Sequence, residues 1–328
     1  MKVTRKRSWC GWRFVIGLVC VLLATSGKSE EEFGPAVIEG KEGWLYPGWE
    51  SLTNANSSGI GRCVTLIGEV GKLLAARNIG LIVLIVPMKA SFYPKYLPED
   101  RSISRDVAAR YDQIISEMNL AGIIAPNVRP IFFQVESEQH TAFFKTDYHW
   151  TAWAAEATAL LIAKEIQGRW KLRGKAQTGA PLGPWTSEMR YGDLTNFLSN
   201  DRRRQIGEEL FMIRRNVAHG GLLDNNSNPV QVIGNSFMQP YLGFSQRLSH
   251  ELDRLVGLTW NYGNVGPWAT FLQSIQSADF KKGSPQVVVW QFNEGQFMNG
   301  PNAPGQWDRP SNLMPDIWLE RVKTALAN

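Results

Sequence analysis

Two short segments carry residue types that could act together on an acyl group. The first is Thr146-Asp147-Tyr148-His149-Trp150-Thr151, just ahead of an Ala-rich stretch with helical spacing. In extended backbone alternate side chains point the same way, so Asp147 and His149 can share one side. A carboxylate that holds one imidazole nitrogen leaves the other free to accept a proton, which is what a general base requires. The second segment is Val232-Ile233-Gly234-Asn235-Ser236-Phe237, an aliphatic run that passes through Gly-Asn-Ser into a helix or turn. In an open parallel sheet such a corner lies at the carboxyl end of a strand, where ligands bind. Gly234 permits a tight turn there. Ser236 then stands near a helix start, whose free backbone N–H groups stabilise a developing oxyanion by roughly 2.7–4 kcal/mol each. The expected trio is Ser236 as nucleophile, His149 as base and Asp147 as the carboxylate that orients it.

Each segment alone has an ordinary explanation. Asp147 could cap the following helix, His149 could fill the core, and Gly-Asn-Ser could be a plain strand-to-helix turn. Together each supplies what the other lacks. A metal site on Asp147 and His149 is the remaining alternative, but His140, His219 and His250 are scattered, short of the ligand count zinc needs. No metal and no cofactor is expected.

These residues need a frame. The spacing of Leu66, Val70, Leu73 and Leu74 predicts a helix over residues 64–78, ended by Gly80. The aliphatic run 81–86, closed by Pro87, predicts a strand buried on both faces. Helices are expected over 104–120, 151–167 (with Thr151 as N-cap), 268–277 and 313–327. Short strands are expected at 122–125, 131–133, 230–233, 256–260 and 287–292, and a turn into a short strand at Gly40-Lys41-Glu42-Gly43-Trp44-Leu45-Tyr46. Residues 54–61, rich in Gly, Ser and Asn, read as a loop. Alternating strands and helices imply α/β architecture with a mostly parallel sheet between helices. Residues 170–228, rich in Arg, Gly and Asn, break the rhythm and read as an insertion with short antiparallel strands.

The composition, 44% hydrophobic and 20% charged, is that of a globular chain rather than a disordered or fibrous one. The net charge of +5 resides in the leader, where Lys2, Arg5, Lys6, Arg7 and Arg13 face no acid over residues 1–26. The remainder is balanced, so no nucleic-acid footprint is expected, although Arg202, Arg203 and Arg204 form a local basic cluster. The basic start, the apolar run 14–24 and the small residues Ala24, Ser26 and Gly27 read as a signal peptide, or as a signal anchor, over 1–26. Residues 27–328 then form one exported domain. Beyond Cys10 and Cys20 of the leader only Cys63 remains, so no internal disulfide is expected and Cys63 reads as buried and inert.

With these segments in view, the chain resembles the alginate O-acetyltransferases of the AlgJ and AlgX type, periplasmic members of the SGNH-hydrolase superfamily. Gly40 to Tyr46 is similar to that family's Gly-Lys-Asp-Gly-Trp-Leu-Phe start, Asp147-Tyr148-His149-Trp150-Thr151 to its Asp-Thr-His-Trp-Thr segment, and Gly234-Asn235-Ser236-Phe237 to its Gly-Asp-Ser-Phe turn. The order of parts, with the Asp-His pair ahead of the serine, agrees too. Asn235 stands where the family has Asp, and Gln291 and Gly295 stand where charged residues are expected. The length suits the AlgJ form, without the extra carbohydrate-binding domain of the AlgX form.

The resemblance implies an SGNH-hydrolase-like, flavodoxin-like three-layer sandwich. It also implies a periplasmic enzyme that passes acetyl to a polysaccharide through an acetyl-serine on Ser236. Implied partners are the polysaccharide acceptor, a membrane-bound O-acyltransferase that supplies acetyl, and other exopolysaccharide-export subunits. Asn261 and Asn293 are candidates for a second oxyanion donor. Among 13 tryptophans, Trp44, Trp150, Trp153 and Trp260 are candidates for a sugar-binding surface, with core burial the ordinary fate of any one of them. The rivals are an exported carbohydrate esterase with the same triad and a non-catalytic polysaccharide-binding subunit.

Overall fold

Aliphatic runs bounded by Gly and Pro supply the central strands, and caps and heptad-like spacing supply the helices that cover them. The computed structural model describes residues 35–215, 228–262, 265–303 and 312–327. The expected leader and His219 lie outside the described residues.

The described chain opens with a small antiparallel hairpin, β1 (Val37–Glu39) and β2 (Leu45–Pro47). Helix α1 (Ser57–Ala75) leads into β3 (Gly80–Val86). Then follow α2 (Lys89–Phe92), α3 (Arg105–Leu120), α4 (Arg129–Ser137) and α5 (Ala152–Arg169). Strand β4 (Trp185–Arg190), helix α6 (Asn200–Ile206) and strand β5 (Glu209–Arg214) come next, β4 and β5 pairing as an antiparallel ribbon. The chain continues through β6 (Val230–Gly234), α7 (Phe244–Leu252), β7 (Val256–Trp260), α8 (Pro267–Gln276), α9 (Ala278–Gly283), β8 (Val287–Asn293) and α10 (Pro315–Ala327).

The main sheet has four strands in the order β3-β8-β6-β7, all parallel. Strands β6 and β8 are buried throughout and β3 nearly so, while β7 at the edge is half-buried. This is why 81–86, 230–233 and 287–292 read as unbroken apolar runs. The β6-α7-β7 connection moves one way across the sheet and β7-α8-β8 moves back. Right-handed crossovers therefore set α7 and α8 on opposite faces. Helix α5 packs on α7, and α10 packs on both α8 and α1, which fills out the two outer layers. Among the described residues no helix is long and apolar enough to cross a membrane.

The expected cap is present, Thr151 Oγ1 accepting from the amide of Ala154, and Ser104, expected inside its helix, caps it instead, its Oγ accepting from the amide of Val107. Three expectations need correction. Residues 131–133 are not a strand but part of α4: Pro130 sits in its first turn, and the buried pair Phe132 and Val135 has helical spacing. Residues 122–125 make only a single parallel bridge, Ile124 to Ile82. Helix α1 also starts within the expected 54–61 loop. There the Asn56 side chain accepts from the Gly59 amide and donates to the Met298 carbonyl, and a β-carbon on Gly59 would lie 2.4 Å from that carbonyl oxygen. Cys63 is free and buried on this helix, and burial pushes its thiol up to about 12.

Tryptophans form much of the core. Trp268, Trp290 and Trp318 are mutually packed and fully buried, and Trp150 is buried with its indole N–H donating 2.9 Å to the carbonyl of Phe237. Trp150→Ala is expected to lower unfolding free energy by about 3–5 kcal/mol, the range for deleting a buried aromatic, as read by denaturant titration.

Candidate active site

A bridge between Phe143 and Trp150 closes a small loop whose tip presents Asp147 and His149. The amide of Phe144 donates to the carbonyl of His149, and the amide of Thr151 to that of Ala142. Within the loop one Asp147 oxygen, Oδ1, accepts both the His149 amide at 2.9 Å and the ring Nδ1–H at 2.7 Å. The proton thus sits on Nδ1, and Nε2 is left as acceptor 2.7 Å from Ser236 Oγ. Ser236 opens a 3₁₀ turn directly after β6, at the carboxyl end of the sheet. The structure brings the three expected residues together, with both ring nitrogens engaged.

Gly234 serves the corner by close approach rather than by a special dihedral. A β-carbon there would lie 2.6 Å from Met238 Cγ and 2.7 Å from Gln291 Oε1. Gln291 Oε1 accepts the Asn235 amide at 3.0 Å, and its amide nitrogen donates to Asn293 Oδ1 at 2.7 Å. Asn293 Nδ2 donates to the Tyr148 hydroxyl, which donates to Glu50 Oε1. A buried chain of neutral groups thus links the serine corner to the residue between Asp147 and His149. Asn235, in place of the family's Asp, still caps the turn: its Oδ1 accepts the Phe237 amide and its Nδ2 donates to Gln296. Near the terminal strand the charge lies on Glu294, paired with Arg110 at 2.9 Å and fully buried.

The two candidate oxyanion donors have these partners. Asn293 is tied between Tyr148 and Gln291, and both Nδ2 hydrogens of Asn261 are directed at Thr270 and Gln273.

Three groups that hold the loop gave no local signal in sequence. The Lys89 ammonium, buried under Trp44 and Tyr46, donates to the carbonyls of Leu45, Lys145 and Asp147 at 2.7, 2.9 and 2.9 Å. Glu209 on β5 accepts the amides of Lys145 and Thr146 and the Thr146 hydroxyl. Asp193 gives its amide to Asp147 Oδ2 at 2.8 Å, accepts the Tyr148 amide at 2.7 Å, and places Oδ2 3.4 Å from His149 Nδ1. Its neighbour Gly192 lies so close to Thr146 that a β-carbon would sit 2.3 Å from that residue's carbonyl. For Asp193 and Glu209 the only hint in sequence was that residues 170–228 had to pack somewhere.

The electrostatics follow from this crowding. Burial alone would raise the Asp147 pKa, but the His149 charge and the hydrogen bonds from His149 and the Asp193 amide outweigh it and hold the carboxyl near 2. Burial pulls His149 down, and Asp147 and Asp193 outweigh that and raise it above its ordinary value. Asp193 is pushed up to about 6 by burial and by the Asp147 charge. Burial pulls Lys89 down to about 8 against the pull of Glu209, Asp147 and Asp193. Ligand atoms of Asp147, His149 and Asp193 lie within 4.8 Å of one another, a spacing a cation could use, but the hydrogen bonds above already engage both ring nitrogens.

Of the expected sugar-binding tryptophans, Trp44 and Trp150 are core residues. Trp44 is stacked 4.8 Å from Tyr96, and Trp150 is fully buried. Trp153 is sandwiched between His140 and Trp185. Trp260 lines an open cleft of about 500 Å³ with Tyr262, Tyr241, Arg190 and Gln239, the last hydrogen-bonded to the Ser236 carbonyl. Trp49 was not singled out by sequence. It is 46% exposed, edge-on to Tyr148 and to Phe197, itself 52% exposed.

A parallel sheet between two helical layers, with a serine at the carboxyl end of one strand facing a His–Asp loop, is the arrangement of an SGNH-hydrolase-like domain. The chain belongs to the acetyltransferase AlgX family of that class, whose SGNH hydrolase-like domain model matches residues 37–294. It is similar to the probable alginate O-acetylase AlgJ of Pseudomonas fluorescens, 28% identical over 301 residues that cover 89% of this chain and 74% of that one. The AlgJ of Pseudomonas putida is 29% identical over 293 residues, covering 84% and 73%. Among solved structures, the O-acetyltransferase domain of Pseudomonas putida AlgJ superposes with a TM-score of 0.74 at 27% identity, over 89% of this chain and 99% of that one. Pseudomonas aeruginosa AlgX shares the fold, with a TM-score of 0.58 at 17% identity over 87% of this chain and 67% of that one.

Glu50 makes the site's polar chain sensitive to pH. Burial pushes its carboxyl up to about 7, against the Tyr148 hydrogen bond and Arg110. A carboxyl raised in the folded state favours folding fully below its unfolded value and loses that contribution as pH rises through the folded one. Stability is therefore expected to fall between pH ~4.5 and ~7. Glu50→Gln keeps the acceptor for Tyr148 and should flatten that slope by roughly 1–3 kcal/mol, read from unfolding midpoints across the range.

Proposed function

We propose that this chain is a periplasmic O-acetyltransferase that moves acetyl groups onto hydroxyls of an exopolysaccharide, alginate or a similar polymer, through an acetyl-Ser236 intermediate. The observation that carries the reading is the continuous line from Ser236 Oγ to His149 Nε2 and from His149 Nδ1 to Asp147, each step 2.7 Å, in a member of an acetyltransferase family.

Ser236 Oγ bonds to the carbonyl carbon of an acetyl donor as its proton passes to His149 Nε2. Asp147 stays ionised and holds the imidazolium that results. The backbone N–H of Ser236, first in its 3₁₀ turn, is the donor assigned here to the oxygen that becomes negative. The tetrahedral species collapses, the leaving group takes the proton from Nε2, and acetyl-Ser236 remains. A sugar hydroxyl then gives its proton to Nε2 and attacks the ester, and Ser236 recovers its proton as the acetylated sugar leaves.

Transfer and hydrolysis share these steps until the acceptor arrives. Ser236 and His149 are only 8% and 6% exposed, and the ring of Trp49 stands edge-on to Tyr148, the residue before His149, and to Phe197. A rim that seats a pyranose ring over a sheltered nucleophile favours a sugar hydroxyl over water. The implied acetyl source is a membrane-bound O-acyltransferase, acting with other subunits of polymer export.

Ser236→Ala is expected to lower turnover on the order of 10⁴-fold or more and to abolish the acetyl mass increment on the tryptic peptide carrying residue 236. Incubation with an acetyl-ester donor and polymer should yield acetylated polymer; acetate alone would mark an esterase, and unchanged polymer binding without turnover a binding subunit. Trp49→Ala should raise KM for polymer about 10-fold while sparing acetate release from a small acetyl ester, as suits loss of one ring contact.

A further inference from the structure

We propose that Asp193 is a second carboxylate partner of His149, a positioning residue whose charge sets how firmly the ring holds the proton taken from Ser236. The inference rests on the triad reading above and adds to it a residue from outside the two chemical segments.

The geometry is specific on both sides of Asp193. Its amide fixes Asp147 Oδ2, the oxygen that His149 does not use. Its Oδ1 fixes the amide of Tyr148, midway between Asp147 and His149. Its Oδ2 remains, 3.4 Å from the same Nδ1 that donates to Asp147. When Nε2 accepts the serine proton, the positive ring therefore lies against two carboxylates.

Burial and the nearby Asp147 charge push Asp193 up to about 6, while the His149 charge and the hydrogen bonds from His149 and the Asp193 amide keep Asp147 low. Asp193 is the one placed to titrate, since its side chain is 40% exposed against 7% for Asp147. The other charged or titratable groups facing the pair are the Lys89 ammonium from α2, Glu209 and Arg190 from the ribbon, and Tyr241 from the 3₁₀ turn after Ser236. Lys89 is bound to backbone carbonyls and Arg190 to Glu188, so neither is drawn away when Asp193 loses its charge. An ionised Asp193 raises the basicity of His149; a neutral one lowers it.

The test is a pair of variants read by ring-resonance NMR titration of His149, assigned with His149→Gln. Asp193→Asn keeps the acceptor for the Tyr148 amide and removes only the charge. It is expected to lower the His149 pKa by about one unit, the lower end for a neighbouring charge at a half-exposed site. The acid limb of kcat/KM for a small acetyl ester should move down by the same amount, with plateau turnover reduced several-fold. Asp193→Ala removes the acceptor as well and should lose more activity. An unmoved His149 titration in Asp193→Asn, whatever its activity, would overturn the proposal and leave Asp193 a purely structural prop. The triad reading is judged separately: Ser236→Ala that keeps full turnover would sink it, and Asp193→Asn leaves that result untouched.

Discussion

The buried ammonium of Lys89 is the point on which the site's geometry depends. Three backbone carbonyls converge on it: Leu45 from the N-terminal hairpin, and Lys145 and Asp147 from the loop that carries the base. Carbonyls that point inward and away from water need a donor, and three on one cation satisfy an ammonium's full set of hydrogens. Lys89 follows β3 by three residues, so the hairpin and the loop are both pinned to the sheet's carboxyl edge. The Leu45 amide closes the arrangement by donating to the Lys145 carbonyl. The Gly-Lys-Glu-Gly-Trp-Leu-Tyr segment thus acts at the site without contributing a reacting group: it supplies a wall for the loop and rings over the cation.

The β4–β5 ribbon plays the same part from the other side. Glu209 takes up two loop amides and a hydroxyl, and the turn at Gly192 and Asp193 presses against Thr146 and Asp147. Local charge is therefore dense: Lys89, Asp147, His149, Asp193 and Glu209 share a small volume that is mostly out of water. In such a place each ionisation is set by the others, which is why Asp147 and Asp193, identical in chemistry, lie on opposite sides of the ordinary carboxylate value. The serine corner, by contrast, is reached through neutral groups, Gln291, Asn293 and Tyr148, which fix position without adding charge beside the nucleophile.

What was legible in the sequence was what has a local cause. Thr151 caps its own helix, aliphatic runs become buried strands, and a nucleophile corner and a base loop carry their types in adjacent residues. Misreadings came where distant packing decides. Ile131-Phe132-Phe133 is too short a run to show its period, and only its burial against the core reveals a helix. Trp150 looked like a sugar platform because of its neighbours, yet the two-residue offset that turns His149 toward Ser236 also lodges Trp150 between the sheet corner and α7. Lys89, Asp193 and Glu209 are ordinary charges in sequence, made functional by partners 44 to 64 residues away.

The same separation explains why acyl transfer fits this frame. A nucleophile that must choose a sugar hydroxyl over water needs shelter below and purchase above. The shelter comes from deep elements: β6 and β8, the neutral chain through Tyr148, and the loop drawn down onto Lys89. The proposed purchase is at the surface, where Trp49 and Phe197 stand half-exposed on segments that also hold the site. Trp49 precedes Glu50, which anchors Tyr148, and Phe197 ends the 3₁₀ turn that Asp193 begins. The exposed rings and the groups that hold the base loop thus lie on the same two short segments.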